Sequence, residues 1–263
     1  MSFSIITISF NSEKTIERTI LSVLGQTNKD YEYILVDGAS TDGTLDIIRK
    51  YEPLFEGRMK WISEPDHGIY DAMNKGVRAA TGDIIGIVNS DDWLEVDAID
   101  SVAKAFEDNG KDRDAIYCGD IIFHYGNGEK KRKNANIPLF KKQASLYIMN
   151  GIRHPATFVP RDVYEKVGLF NDQMKLSADQ DFILRCYFQG VKFYHVSRVL
   201  SNMAAGGLST DNSKKSLEAS IHDRKIMLRK YNVHGIKYLW LWCTWRSRVA
   251  ISRIYKKIRG KYN

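Results

Sequence analysis

The sequence predicts an α/β protein whose mostly parallel central sheet carries helices on both faces, followed by a short amphipathic helical tail. Three observations predict it. Short β-rich runs alternate with amphipathic helical ones from residue 3 to about 118, the pattern of parallel strands joined by crossover helices. One run, DIIGIV, is almost wholly apolar, as befits a strand buried on both faces. The 263 residues, 43% of them hydrophobic, suffice for one sizeable core.

FSIITIS is read as the first strand, and the helix after it buries a stripe of Ile16, Ile20, Val23 and Leu24. YEYILVD is the second strand, closed by the turn-rich GASTDG, with a helix from about Thr44. MKWIS is the third, residues 69–81 form a helix turning Ile69, Met73, Val77 and Ala80 inward, and DIIGIV is the fourth strand. In open α/β sheets ligands bind beyond the carboxyl ends of the strands. Here those ends carry Asn11, Asp37 and the run Asn89, Ser90, Asp91, Asp92. Regularity then weakens: a hairpin over 121–133 turns at YGNGE, a helix runs from about 179 to 190, and KFYHV is a strand. Residues 1–234 are read as one domain with halves 1–118 and 119–234, and 235–263 as an appended helix.

The net charge of +7 invites a nucleic-acid reading, but eight Lys or Arg and no acid fall within 235–263, leaving 31 basic against 32 acidic side chains elsewhere. A phosphate-tracking surface on the main domain is not implied, and no nucleic-acid partner is expected. Three scattered cysteines without a C-x-x-C pair suggest neither disulfides nor zinc. With no secretory leader at the N-terminus and no apolar run long enough to span a bilayer, the expected location is cytoplasmic.

The strongest local signal is IVNSDDW, two adjacent carboxylates directly after a buried strand. Oxygen ligands at a strand end suit Mg²⁺ or Mn²⁺ together with substrate phosphates; helix capping by Asp91 and Asp92 is the alternative. Four segments, SIITISFNSEKTIERTILSVLGQT, YILVDGASTDGT, EPDHGIYDAMNKGVRAATGDIIGIVNSDD and ADQDFILR, occur in the order and approximate spacing of the family-2 glycosyltransferases. Over some four-fifths of its length the chain resembles that family, in particular its members that build bacterial polysaccharides.

The resemblance implies a GT-A fold, a nucleotide-sugar donor and an inverting, Mn²⁺- or Mg²⁺-dependent transfer to a hydroxyl. It implies that Thr7, Ser9, Asn11 and Asp37 line the nucleotide pocket, with Asp37 accepting a hydrogen bond from uracil; Asp37 and Asp42 as plain turn formers is the alternative. Where many members carry a second acid, this chain has Gly38. Asp71 and Asn74, three apart on one helix, are placed in the donor pocket, with Asp66 as a weaker candidate; Lys75 is read as a phosphate contact or a solvated lysine, and His67 is given no role. Asp92 is the implied metal ligand, with Asp91 on ribose or assisting. SADQD matches the family's acidic motif for the base, giving Asp179 as first choice and Asp181 as second. The usual first acid of that motif is Ala178 here. His154 falls where such enzymes carry a histidine near the acceptor or diphosphate; the alternative is a buried structural histidine. Asp120 either meets the acceptor or ends a strand. AAGGLSTDNSK, with Ser209 and Thr210, reads as a closing loop or an idle connector.

The tail carries three of the five tryptophans, Trp240, Trp242 and Trp245, with Ile236, Cys243, Ala250, Ile254 and Ile258 recurring along the face of Trp240. Aromatics at one end and cations at the other describe a helix lying on an anionic membrane surface; packing on the domain or on a twin subunit in a homodimer is the alternative. The acceptor expected on this basis is a lipid-linked oligosaccharide or surface glycan. Two other readings compete. A non-catalytic sugar-nucleotide binder would not need both Asp92 and Asp179, and a nucleotidyltransferase would usually show a glycine-rich loop where this chain has SFNSEKT.

Overall fold

A computed structural model describes residues 1–135, 137, 151–205 and 214–231. The expected helix 235–263 lies outside the described residues, as do Ser209 and Thr210. Among the described residues no helix is long and apolar enough to cross a membrane.

Strands β1 (Phe3–Ser9), β2 (Tyr31–Asp37), β3 (Met59–Ser63) and β4 (Ile84–Ile87) alternate with helices α1 (Ile16–Leu24), α2 (Thr44–Tyr51) and α3 (Ile69–Ala79). There follow β5 (Trp93–Leu94), α4 (Ala98–Asp108), β6 (Ala115–His124), β7 (Lys130–Lys133), β8 (Thr157–Pro160), α5 (Arg161–Val167), α6 (Ala178–Phe188), β9 (Lys192–Ala204) and α7 (Lys214–Lys230). The strands form one sheet in the order β3-β2-β1-β4-β8-β6-β9-β5, with β7 on β6. Pairing is parallel from β3 to β4. Antiparallel pairing enters where β8 joins β4 and β6, and β6 and β9 are again parallel. The β6–β7 hairpin falls where the YGNGE turn placed it.

Every residue of β1 is buried, because successive side chains of a central strand enter opposite cores. Phe3 and Ile5 join a cluster with Ile16, Ile20 and Val23 of α1. Ile6 and Ile8 join the cluster of α3, α5 and α6 on the other face. The α1 stripe thus matches its helical spacing, and a large-to-small change there, such as Ile20→Ala, would cost about 2–5 kcal/mol. Gly76 lets α3 lie close against β1: a Cβ built there would stand 2.5 Å from Ile6 Cγ2. The parallel register sets Ser9 beside Asp37, and Asp37 beside Ser63, so the three strands end side by side.

Candidate active site

Beyond those strand ends opens a cleft of about 1140 Å³, lined by residues from both halves of the chain. Ser9 and Asn11 come from the end of β1, Asp91 and Asp92 from the end of β4, His154 from the turn before β8, and Asp179 from the first turn of α6. Two segments some 90 residues apart in sequence therefore share one cavity.

The loop after β1 is bent by Asn11, whose φ is +47°, a left-handed conformation that Asn tolerates better than most residues. Its backbone N–H donates to Ser40 Oγ (2.8 Å), and its Oδ1 accepts the Thr41 N–H (2.9 Å). Ser12 and Ser90 hydroxyls meet at 2.8 Å, tying this loop to the end of β4. Phe10 is exposed beside it. Gly38 leaves room here for the Asp66 side chain: a Cβ would stand 2.5 Å from Asp66 Oδ2, so a larger residue would move that carboxylate. The Asp66 carboxylate fills that space and lines the cleft.

At the end of β4, Asp92 is 1% exposed. Its Oδ1 accepts the Ala204 N–H (3.2 Å) and its Oδ2 the Asn89 amide (3.3 Å). Its backbone is fixed by the Thr19 hydroxyl, which donates to the Asp92 carbonyl at 2.6 Å. Burial, and then the neighbouring Asp91 charge, push the Asp92 carboxyl up to about 8. Burial raises Asp91 as well, opposed by Arg18. Arg18 sits 3.6 Å over the Trp93 ring and donates Nη2 to the Asp91 carbonyl (2.8 Å).

The donor set fits a hard cation. Asn89, Ser90, Asp91 and Asp92 present only oxygen ligands, and the buried Asn89 Oδ1 has no hydrogen-bond partner. Among the described residues no three His, Cys, Asp or Glu cluster as a closed metal cage. A cation held here would complete its shell with water and substrate phosphate, as Mg²⁺ does.

Across the cleft, Asp179 Oδ1 accepts the Tyr70 hydroxyl at 3.2 Å. Burial, reinforced by the Asp179 charge, raises the Tyr70 phenol well above its ordinary value and keeps it a donor. His154 is held below the ordinary imidazole range by burial, against the opposite pull of Asp179. Its Nε2 is buried without a hydrogen-bond partner. His154 and Asp179 also border a cavity of about 20 Å³ behind the cleft with Thr157 and Tyr164.

Five expected site residues are placed elsewhere. Thr7 is fully buried beneath the cleft floor and accepts the Tyr33 hydroxyl (3.0 Å). Asp37 is also fully buried; its oxygens accept the Ser9, Ser40 and Ser63 hydroxyls and the Ser40 N–H at 2.5–2.9 Å. These bonds brace the loop that follows β2. Asp71 caps the start of α3 by accepting the His67 N–H (3.0 Å). Asn74 faces the opposite way, its amide exchanging two 3.0 Å bonds with the Phe170 backbone. Asp181 is buried against cations: Arg185 and Lys230 donate to it at 3.0 and 2.9 Å, and the Tyr231 hydroxyl at 3.0 Å, which leaves it no route to an acceptor proton. Asp120 likewise ends in a clamp with Arg132, His195 and the Ala135 N–H.

Sequence reading passed over Tyr70 and Arg18. Tyr70 carried a signal: on a helix its partner at four residues is Asn74, and the stripe Tyr70, Met73, Asn74, Val77 is the buried one. Arg18 carried none, because its role depends on Trp93, brought near only by the sheet.

Comparison with known proteins bears on this geometry. The family model described as glycosyl transferase family 2 matches residues 4–168, more than half of the chain. A PGL/p-HBAD biosynthesis glycosyltransferase of Mycobacterium bovis is 35% identical over 211 residues, covering 79% of this chain and 78% of that protein. Among solved structures, S. aureus TarS 1-349 in complex with UDP-GlcNAc superposes with a TM-score of 0.65 at 19% identity, covering 92% of this chain and 69% of that one. Against another, longer TarS structure this chain spans 37% of the length. The mannosyltransferase PcManGT from Pyrobaculum calidifontis, solved with GDP-Man and Mn2+, gives 0.59 at 16% identity, covering 97% and 82%. At such identities the structural likeness speaks for the fold, which is the expected GT-A arrangement. The family match and the Mycobacterium relative carry the assignment, and on them the chain belongs to glycosyl transferase family 2.

Proposed function

We propose that this glycosyltransferase moves a sugar from a nucleotide diphosphate donor, with UDP favoured, to a hydroxyl of a lipid-linked or surface glycan, inverting the anomeric carbon with the help of a divalent cation. The observation that carries the proposal is the shared cleft: Asp92 and Asp179, contributed by opposite halves of the chain, both line it.

In this reading residues 1–118 hold the donor and 119–234 the acceptor. Ser9, Asn11 and Asp66 border the nucleotide end, Asp66 taking over the base contact expected of Asp37. His154 and Asp91 face the diphosphate and ribose. Asp92, with Asp91 beside it, would hold Mn²⁺ or Mg²⁺, which supplies Lewis-acid neutralisation of the departing diphosphate. Asp179 takes the proton from the acceptor hydroxyl as that oxygen attacks the anomeric carbon and the bond to the diphosphate oxygen breaks. Tyr70 holds Asp179 Oδ1, which leaves Oδ2 to receive the proton. The two complexes, UDP-GlcNAc in TarS and GDP-Man with Mn2+ in PcManGT, support a nucleotide-sugar donor and a divalent cation.

A panel of nucleotide sugars incubated with Mn²⁺ tests the reading. One donor should be hydrolysed slowly by the wild type, and Asp92→Ala should abolish that turnover. Donor binding without turnover across the panel would favour the non-catalytic binder instead. We further infer a cytoplasmic, peripheral location, with 235–263 lying on anionic lipid. Truncation after residue 234 should release the protein from anionic liposomes and preserve donor hydrolysis; unchanged partitioning contradicts the membrane helix.

A further inference from the structure

We propose that Asp223 of α7 is a positioning residue for the base Asp179, so that α7 sets the aim of the acceptor-side acid. The inference rests on the reading of Asp179 given above. The side chain of Asp223 is fully buried. Its Oδ2 accepts three consecutive backbone N–H groups, from Lys175 (3.0 Å), Leu176 (2.6 Å) and Ser177 (2.9 Å), and its Oδ1 accepts that of Lys175 at 2.9 Å. The His222 ring lies 3.3 Å from Oδ1.

These N–H groups belong to the turn that enters α6, and Asp179 is the second residue of that helix. Helix starts leave N–H groups in need of acceptors, and a side chain at the cap position usually supplies one. Ser177 occupies the cap position here and makes no such bond. Asp223, from a helix 46 residues further along, instead accepts the N–H of Ser177 itself and of the two residues before it, so the entry to α6 is held from outside the helix. The second tether lies just past the base, where Lys230 donates to both Asp181 oxygens at 2.9 Å and the Tyr231 hydroxyl donates at 3.0 Å. Asp179 therefore stands between two points at which α6 and its entry turn are fastened to α7 and the residue after it. Lys175 and Leu176, held by Asp223, line the cleft themselves. No proton transfer by Asp223 is involved; it fixes where the base carboxylate sits relative to the donor.

Misplacing a reacting group by about 1 Å is enough to cost roughly 100-fold in rate, and that scale sets the test. The full chain is compared as wild type, Asp223→Ala, Asp223→Glu, Asp223→Asn and Asp179→Asn. Calorimetric titration with UDP and Mn²⁺ counts binding-competent sites, and hydrolysis of the UDP-sugar that the wild type turns over is expressed per site. Normalising in this way removes losses due to unfolded protein. Asp223→Ala should keep UDP affinity within about threefold, lose about 100-fold in turnover per site and shift the acid limb of the pH–rate profile. Asp223→Asn, whose amide oxygen can still accept the three N–H groups, should restore most of that turnover. If Asp223→Ala does not fold, Asp223→Glu carries the test: it keeps the charge but moves the carboxylate, and should lower turnover about tenfold with UDP binding intact. Unchanged turnover per site and an unchanged pH profile in the folded variant overturn the inference. Normal turnover in Asp179→Asn would instead sink the base assignment, whereas a dead Asp179→Asn beside a fully active Asp223→Ala overturns this inference alone.

Discussion

The end of β4 and the start of α6 both place acids two or fewer residues apart, yet the protein treats them in opposite ways. At the end of β4, Asp92 is buried beside Asp91, whose charge adds to the cost of ionising it. Arg18 spends its hydrogen bond on the Asp91 carbonyl. At the start of α6, Asp181 is equally buried but is met by Arg185, Lys230 and Tyr231, while its neighbour Asp179 opens onto the cleft. A buried acid left short of positive charge is poised to take up a cation. One that is fully matched is a fastening. In the proposed mechanism this difference separates the reacting acids from the fastening one among residues that look alike in sequence.

Breaking the matched pair should give the larger stability effect. Arg185 donates to Asp181 and also to the Val167, Gly168 and Leu169 carbonyls. Arg185→Met is expected to cost about 3–5 kcal/mol in urea unfolding; a loss below 1 kcal/mol would remove the contrast with Asp92.

The unmatched pair gives a smaller, pH-dependent effect. Asp92 moves from an ordinary 3.8 to about 8, so the folded state binds a proton that the unfolded chain does not, and cation-free stability falls as pH rises through that window. A cation held by ionised Asp92 must displace that proton. Mn²⁺ should therefore stabilise the fold more at pH 8 than at pH 5, by up to about 2.7 kcal/mol at a hundredfold excess over Kd, read as a larger rise in Tm. An equal rise at both pH values would mean that Asp92 is not the ligand.

The N-terminal half was legible because its signals are local. The apolar runs, the α1 stripe and the strand-end acids follow from periods of two and 3.6 residues, and β1, β2, β3 and α3 fall within a few residues of their expected bounds. What was not legible depends on partners distant in sequence. Spacing put Asp71 and Asn74 on one face, but Phe170, far along the chain, claims Asn74. Strand register brings Ser9 and Ser63 to the Asp37 carboxylate, and Ser40 reaches it from the turn just after β2. The motif already put Asp179 ahead of Asp181, but the physical reason, Lys230 bonded to Asp181, comes from a helix 49 residues further along, and Asp223 carried no motif at all.

The most direct test of the two-acid cleft is Asp179→Asn, followed by donor titration and by turnover at saturating donor and Mn²⁺. The account predicts donor affinity within about threefold of the wild type and turnover lowered by about 10²–10⁴-fold, the range for a lost general base. Turnover equal to that of the wild type would contradict it.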